Sequence, residues 1–161
     1  MSIRIGYGFD VHQLAEGYDF WLGGIKLEHI TGSVGHSDAD VLLHAICDAL
    51  LGALALKDIG YHFPDTDPKF KGIDSKILLK HTYDLILKEG YELGNLDSTI
   101  CLQEPKIKPH IDTMRNCIAD VMQVSVSQVS VKATTTEKMG FEGRGEGVSA
   151  HATVLLLKQT K

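Results

Sequence analysis

Residues 41–56 constrain the fold of this chain more than any other stretch. Val41, Ala45, Ile46, Ala49, Leu50 and Ala53 recur there at helical spacing, and His44 and Asp48 are the only strongly polar side chains in the run. Ahead of it, Ser37-Asp38-Ala39-Asp40 has the S-x-x-D form of a capping box, which predicts a helix running through Leu56. Such a helix must bury its apolar side against another element, and strand-like segments elsewhere in the chain supply one.

The clearest of these opens the chain. Ile3, Ile5, Tyr7, Phe9 and Val11 alternate with Arg4, Gly6, Gly8, Asp10 and His12, which predicts a strand with one apolar face. Residues 20–27, with Gly23-Gly24 at their middle, predict a small hairpin, and residues 58–72, rich in Gly, Pro and Asp, predict loop. Asp74 or Ser75 can cap a second helix bearing Ile77, Leu78, Leu85 and Ile86, with Gly90 just past its end. Residues 96–103 predict a strand. Pro109 suits the first turn of a third helix with the stripe Ile111, Met114, Ile118, Val121 and Met122. Residues 129–134 and 148–157 predict the last strands, on either side of a glycine-rich segment at 140–147. No repeat or linker interrupts the 161 residues, so 1–161 reads as one domain. The expected class is an α+β sandwich, a mixed β-sheet packed on one face by α-helices.

A formal net charge of -5 gives no general attraction to nucleic acid or acidic membranes. An anionic ligand must then be held by local chemistry. Cys47, Cys101 and Cys117 are odd in number and widely spaced, without a CxxC pair or a secreted framework. The strand-like alternation near residue 3 leads us to expect no targeting peptide, and no apolar run is long enough to span a bilayer. A cytoplasmic protein is expected.

Asp10 and His12, two apart on a strand, project from one face. His44 stands one helical turn after Asp40 and one before Asp48. Two histidines and a carboxylate are a common catalytic-zinc set. His44 reads equally as a core histidine hydrogen-bonded to Asp48 or Asp40, and spacing alone leaves both readings open. His36 and Ser37, just before the capped helix, could meet an anion beside the free helix amides, or simply cap it. Asp65 and Asp67 read as turn formers. Thr134-Thr135-Thr136-Glu137-Lys138 ends a strand with hydroxyls, a carboxylate and an ammonium, a set suited to a phosphate with a hard cation or to a polar strand end. Gly143-Arg144-Gly145-Glu146-Gly147 lacks the spacing of a P-loop or a dinucleotide fingerprint.

Several strings occur in one order: Gly8-Phe9-Asp10-Val11-His12, His36-Ser37-Asp38-Ala39-Asp40, Asp58-Ile59-Gly60, Phe63-Pro64-Asp65-Thr66-Asp67 and Lys132-Ala133-Thr134-Thr135-Thr136-Glu137-Lys138. Together with Gly140-Phe141 and the glycine-rich run to Gly147, they resemble the 2-C-methyl-D-erythritol 2,4-cyclodiphosphate synthase family almost end to end. The resemblance implies one zinc ion per active site on Asp10, His12 and His44, and a Mg²⁺ or Mn²⁺ ion on Glu137. Asp48 would support a ligating histidine. His36 and Thr135 would be catalytic, holding the reacting phosphates with Ser37, and Thr134 and Thr136 would flank them. Asp58, Ile59 and Gly60, with Phe63, Pro64, Asp65, Thr66 and Asp67, would hold the methylerythritol part, and Val11 would touch substrate beside the zinc ligands. Leu102-Gln103-Glu104-Pro105-Lys106-Ile107-Lys108 would frame the cytosine.

The resemblance further implies a homotrimer with active sites between subunits, in which Phe141 and Arg144 line a central cavity for an isoprenoid diphosphate. The substrate implied is a cytidine diphosphate compound that cyclises with loss of CMP. A metal-dependent phosphodiesterase and a non-enzymatic metal- or isoprenoid-binding trimer are the competing readings. Ala39 departs from the family's usual glycine, a change expected to be tolerated in a first helical turn, and Ser33-Val34-Gly35 is not the commonest form before His36.

Overall fold

The computed structural model describes residues 2–159. The alternation at the start of the chain becomes a 14-residue strand, β1 (Ile3–Glu16), with one apolar face as expected, but that face is the exposed one. Ile5, Tyr7 and Phe9 are 70%, 60% and 46% exposed, whereas the even positions turn inward toward helix α1 (Val41–Ala53). Close approach is the reason. A Cβ on Gly6 would stand 1.8 Å from the Ala49 carbonyl oxygen, and one on Gly8 1.9 Å from that of Ala45. Glycine lets the helix backbone lie directly on the strand, and any larger residue would drive the two apart.

Five strands form the main sheet in the order β4-β1-β7-β5-β6, with β4 at Thr31–Ser33, β5 at Tyr91–Cys101, β6 at Val129–Thr134 and β7 at Gly147–Lys158. β7 pairs antiparallel with β1 and with β5, while β5 and β6 run parallel, so the sheet is mixed as expected. The hairpin β2 (Phe20–Leu22) and β3 (Ile25–Leu27) turns at Gly23 and Gly24, both at positive φ. Helix α1 buries ten residues between the sheet and helix α3 (Ser75–Lys88), and helix α4 (Ile111–Met122) packs on β6. Each fully buried Leu or Ile contributes about 1.5–3 kcal/mol relative to exposure. Helices cover one face of the sheet, and the face bearing Ile5, Tyr7 and Phe9 is left uncovered by the described residues. Among the described residues, no helix is long and apolar enough to cross a membrane.

Several boundaries differ from expectation. The first helix starts later than a cap at Ser37 would place it, because Asp40 is the N-cap and its carboxylate accepts the Leu43 N–H. Ala39 therefore lies outside the helix, at φ 57°, and is not the first-turn residue expected. The same helix ends at Ala53, since Ala55 and Lys57 adopt positive φ. Residues 58–72 are not all loop: Asp58 caps a short helix α2 (Ile59–His62), and Asp67 caps a 3-10 turn at Pro68–Phe70. A short helix α5 (Gly140–Gly143) likewise occupies part of the glycine-rich segment. Ile77, expected on the apolar stripe of α3, is 57% exposed, and Leu79, Thr82 and Tyr83 are buried there instead.

Candidate metal centre and two clefts

Asp10 and His12 lie on the inner face of β1, and His44 reaches them from the first turn of α1. Asp10 Oδ2 stands 3.0 Å from His44 Nδ1 and 3.0 Å from His12 Nδ1. Burial pushes the Asp10 carboxyl up, but its interactions with the two imidazoles outweigh this and lower its pKa to about 2. His44 responds in kind: burial opposes its protonation, yet Asp10 raises its pKa overall.

This donor set fits a metal cation. The three candidate ligand atoms lie within 4.8 Å of one another. His12 Nδ1 is buried and makes no directed hydrogen bond despite its closeness to Asp10, so it has distance without a partner. His44 Nε2 is engaged on its other side by Ser37 Oγ at 3.1 Å and Ser75 Oγ at 2.9 Å, which aims Nδ1 at Asp10. Gly35 closes the cradle, since a Cβ there would sit 3.1 Å from His12 Nε2. Asp48 is not the expected support for His44. Its carboxylate accepts the Ile59 N–H at 2.7 Å and anchors α2 instead. Asp40 is not a partner of the imidazole either, because its carboxylate is taken by the N–H groups of Gly23, Gly24 and Leu43.

Two clefts receive most of the remaining candidates. The first, a cavity of about 260 Å³, is lined by His36, Ser37, Ile59, Gly60, Phe63 and Asp65, together with Phe70, Ile73 and Leu78. Phe63 packs edge-on against Phe70 and His81, which fixes its ring as a wall. Asp58 accepts the Tyr61 N–H, and Asp67 accepts the Lys69 N–H and pairs with its ammonium. These two carboxylates, with Pro64 and Thr66, shape the loop beside the cavity rather than line it.

The second cleft, about 170 Å³, sits at the ends of the parallel pair β5 and β6. Leu102, Gln103, Pro105, Lys106, Ile107 and Lys108 line it with Ala133, Thr134 and Thr135, and Glu104 is exposed beside them. Thr135 Oγ1 donates to Glu137 Oε1 at 3.2 Å, and Thr136 Oγ1 donates to the Met139 carbonyl at 2.6 Å. Strand register puts Thr134 level with Cys101, Ser149 and Val11, so both clefts stand at the same height on the sheet. From β1 to β6 there are three inter-strand steps, roughly 14 Å. Val11 projects from the opposite face from Asp10 and His12 and is 45% exposed. Phe141 packs against Gly147, and Arg144 makes a two-bond ion pair with Glu146.

The YgbB family matches residues 3–157. The chain belongs to that family. It is 64% identical over 154 residues to 2-C-methyl-D-erythritol 2,4-cyclodiphosphate synthase of Porphyromonas gingivalis, covering 96% of this chain and 95% of that protein. The enzyme of the same name from Azotobacter vinelandii is 59% identical, over 96% of this chain and 99% of the relative. Among solved structures, IspF of Plasmodium falciparum in a CDP complex superposes with a TM-score of 0.87 at 35% identity, covering 99% of this chain and 98% of that one. Bifunctional IspDF from Campylobacter jejuni gives a TM-score of 0.94 at 43% identity, with 99% of this chain spanning 43% of that longer one.

Sequence reasoning missed the wall residues Phe70, Ile73 and Leu78, and it read Ser75 only as a possible cap. No local signal marks Ser75, because its partners Asp38 and His44 lie 37 and 31 residues away.

Proposed function

We propose that this YgbB-family chain converts 4-diphosphocytidyl-2-C-methyl-D-erythritol 2-phosphate into 2-C-methyl-D-erythritol 2,4-cyclodiphosphate and CMP, a step of the non-mevalonate route to isoprenoids. The observation that carries this reading is the Asp10-His12-His44 cluster beside a cavity, in a chain 64% identical to an enzyme of that name. An oxygen of the 2-phosphate bonds to the β-phosphorus. The bond from that phosphorus to the bridging α-phosphate oxygen breaks, and CMP leaves with the electron pair. The nucleophile is already tethered, so the protein acts by folding the substrate into an attack geometry.

Asp10, His12 and His44 would hold one zinc ion, which suits a set of two imidazoles and a carboxylate. Glu137, an exposed oxygen donor beside Thr135, suits Mg²⁺ or Mn²⁺. Bound there, these ions supply the neutralisation of phosphate oxygens whose mutual repulsion opposes ring closure. His36 and Ser37 hold phosphate in the first cleft, where Ile59, Gly60 and Asp65 meet the methylerythritol part. Residues 102–108 take the cytosine through backbone groups, while Thr134 and Thr135 bind phosphate.

The working form is a homotrimer of one-domain chains. The exposed row Ile3, Ile5, Tyr7, Phe9 and Val11 is too continuous for an ordinary free surface, which supports its burial against other copies of the chain. Phe141 and Arg144 would then flank the axis as a place for an isoprenoid diphosphate, for which Glu146 already competes. Three free cysteines accord with a reducing cytoplasm. ³¹P NMR of the zinc-loaded protein with Mg²⁺ and the cytidyl substrate should show CMP and a cyclic diphosphate appearing together. A linear phosphate product would replace the cyclase by a metal-dependent phosphodiesterase, and binding without turnover would replace it by a binding protein.

A further inference from the structure

Ser75 is fully buried at the start of α3, and neither it nor Asp38 belongs to the metal donor set. The Ser75 hydroxyl donates to Asp38 Oδ1 at 2.5 Å, and the Ser75 N–H donates to Asp38 Oδ2 at 2.9 Å. A carboxylate only accepts, so the hydroxyl proton is committed to Asp38 and Ser75 Oγ offers His44 lone pairs alone. His44 Nε2, 2.9 Å away, must then carry the proton of this hydrogen bond. In the neutral ring Nδ1 is left as a bare lone pair, 3.0 Å from Asp10 Oδ2. Two acceptors face each other there, an arrangement that a cation between them turns from repulsive to favourable. Ser37 Oγ accepts from the Ala39 N–H and lies 3.1 Å from the same Nε2–H, so its own proton is unclaimed.

We infer that Ser75, held by Asp38, is a positioning residue that locks His44 in its Nε2–H form, presenting Nδ1 to the metal and leaving the Ser37 hydroxyl proton for an incoming anion. The inference rests on the metal-site reading above. A purely structural role for Ser75 would be to tie the start of α3 to Asp38. Ser75→Ala keeps the backbone N–H bond of that tie, and a loss of the hydroxyl bond alone would leave the His44 tautomer unchanged. The substitution removes the hydroxyl alone.

The test is ¹⁵N NMR of histidine side chains in the zinc-free protein at alkaline pH, joined to zinc affinity measured by chelator competition. Wild-type His44 should be wholly Nε2–H. Ser75→Ala should show both tautomers and bind zinc about tenfold or more weakly, the usual loss when a partner of a ligating histidine is removed. An Nδ1–H His44 in the wild-type protein overturns the inference without any variant having to fold. An unchanged tautomer or an unchanged zinc affinity in Ser75→Ala overturns it as well. Failure of the metal reading is separate: it would appear as a wild-type protein that binds no zinc, and the tautomer in that same protein still decides the role of Ser75.

Discussion

The metal cleft and the strand-end cleft stand level on one sheet, yet they are held in opposite ways. Around the metal centre, carboxylates tie together elements distant in sequence. Asp40, fully buried, accepts from Gly23 and Gly24 of the hairpin and from Leu43 of α1. Asp38 holds the start of α3, and Asp48 holds α2. At the strand end, Thr135 and Glu137 bond to each other and Thr136 to Met139, and Thr134, Thr135 and Glu137 are exposed. The Leu102 N–H donates to the Thr134 carbonyl at 3.0 Å and the Gly143 N–H to that of Met139 at 3.1 Å. Among the side-chain bonds of the described residues one, from the Lys138 N–H to Gln103 Oε1 at 3.3 Å, reaches beyond the segment. The candidate metal half is thus tied down by bonds between distant elements, the preorganisation that a site for developing charge would need. The strand-end half is held instead by bonds between near neighbours in sequence and by its pairing to the end of β5.

The largest effect expected from this contrast is at His44. His44→Ala should abolish metal binding and lower turnover about a thousandfold, the loss of several kcal/mol of charge stabilisation, while the fold persists. Metal analysis and circular dichroism check both halves of the statement. A variant that kept full metal occupancy would break the comparison at its root.

A shared site sharpens the contrast further. Asp10→Asn damages the preordered half and Thr135→Ala the other, so each homotrimer should be inactive. Refolded from an equal mixture, a cyclic trimer with sites between subunits should recover about a quarter of wild-type activity by random assortment. Trimers that stay inactive would mean that both clefts act within one chain. A smaller effect is expected at the exposed end. Glu137→Gln should keep its zinc but require about tenfold more Mg²⁺ for half-maximal rate, one lost carboxylate ligand among several oxygens. A Mg²⁺ titration that superposes on wild type would remove Glu137 from the metal.

The same contrast explains what was legible in the sequence. Hydrophobic period located most helices and strands, because each follows its own residues. It did not say which face of β1 turns inward, since that face is marked by Gly6 and Gly8, whose value is the side chain they lack. It also started the middle strand five residues late, at 96 rather than Tyr91: a register shift between Leu93 and Asn95 puts Leu93 and Leu96 on the same buried side and destroys the two-residue period. The strand-end residues stood out because Thr134 to Lys138 are adjacent. Spacing alone left the candidate metal triad half read, and the family resemblance completed it. Asp10 and His12 share a strand, but His44 joins them across 34 residues, and Ser75, which bonds both His44 and Asp38, lies 31 and 37 residues from them.

The smallest expected effect compares one backbone feature in both clefts. Ala39 and Lys138 each hold positive φ, 57° and 63°. For a residue with a Cβ this costs about 1–2 kcal/mol, which glycine relieves, against about 0.5–1 kcal/mol for its freer unfolded chain. Lys138 is exposed, so nothing else enters, and Lys138→Gly should stabilise the protein by about 0.5–1 kcal/mol. Ala39 is 1% exposed, and its methyl contributes about 0.8 kcal/mol by burial, so Ala39→Gly should come out close to neutral. Denaturant unfolding of the two variants beside wild type measures the difference. If Ala39→Gly gained as much as Lys138→Gly, the Ala39 methyl would contribute nothing to packing, and the loop beside the metal centre would be held no more tightly than the strand end.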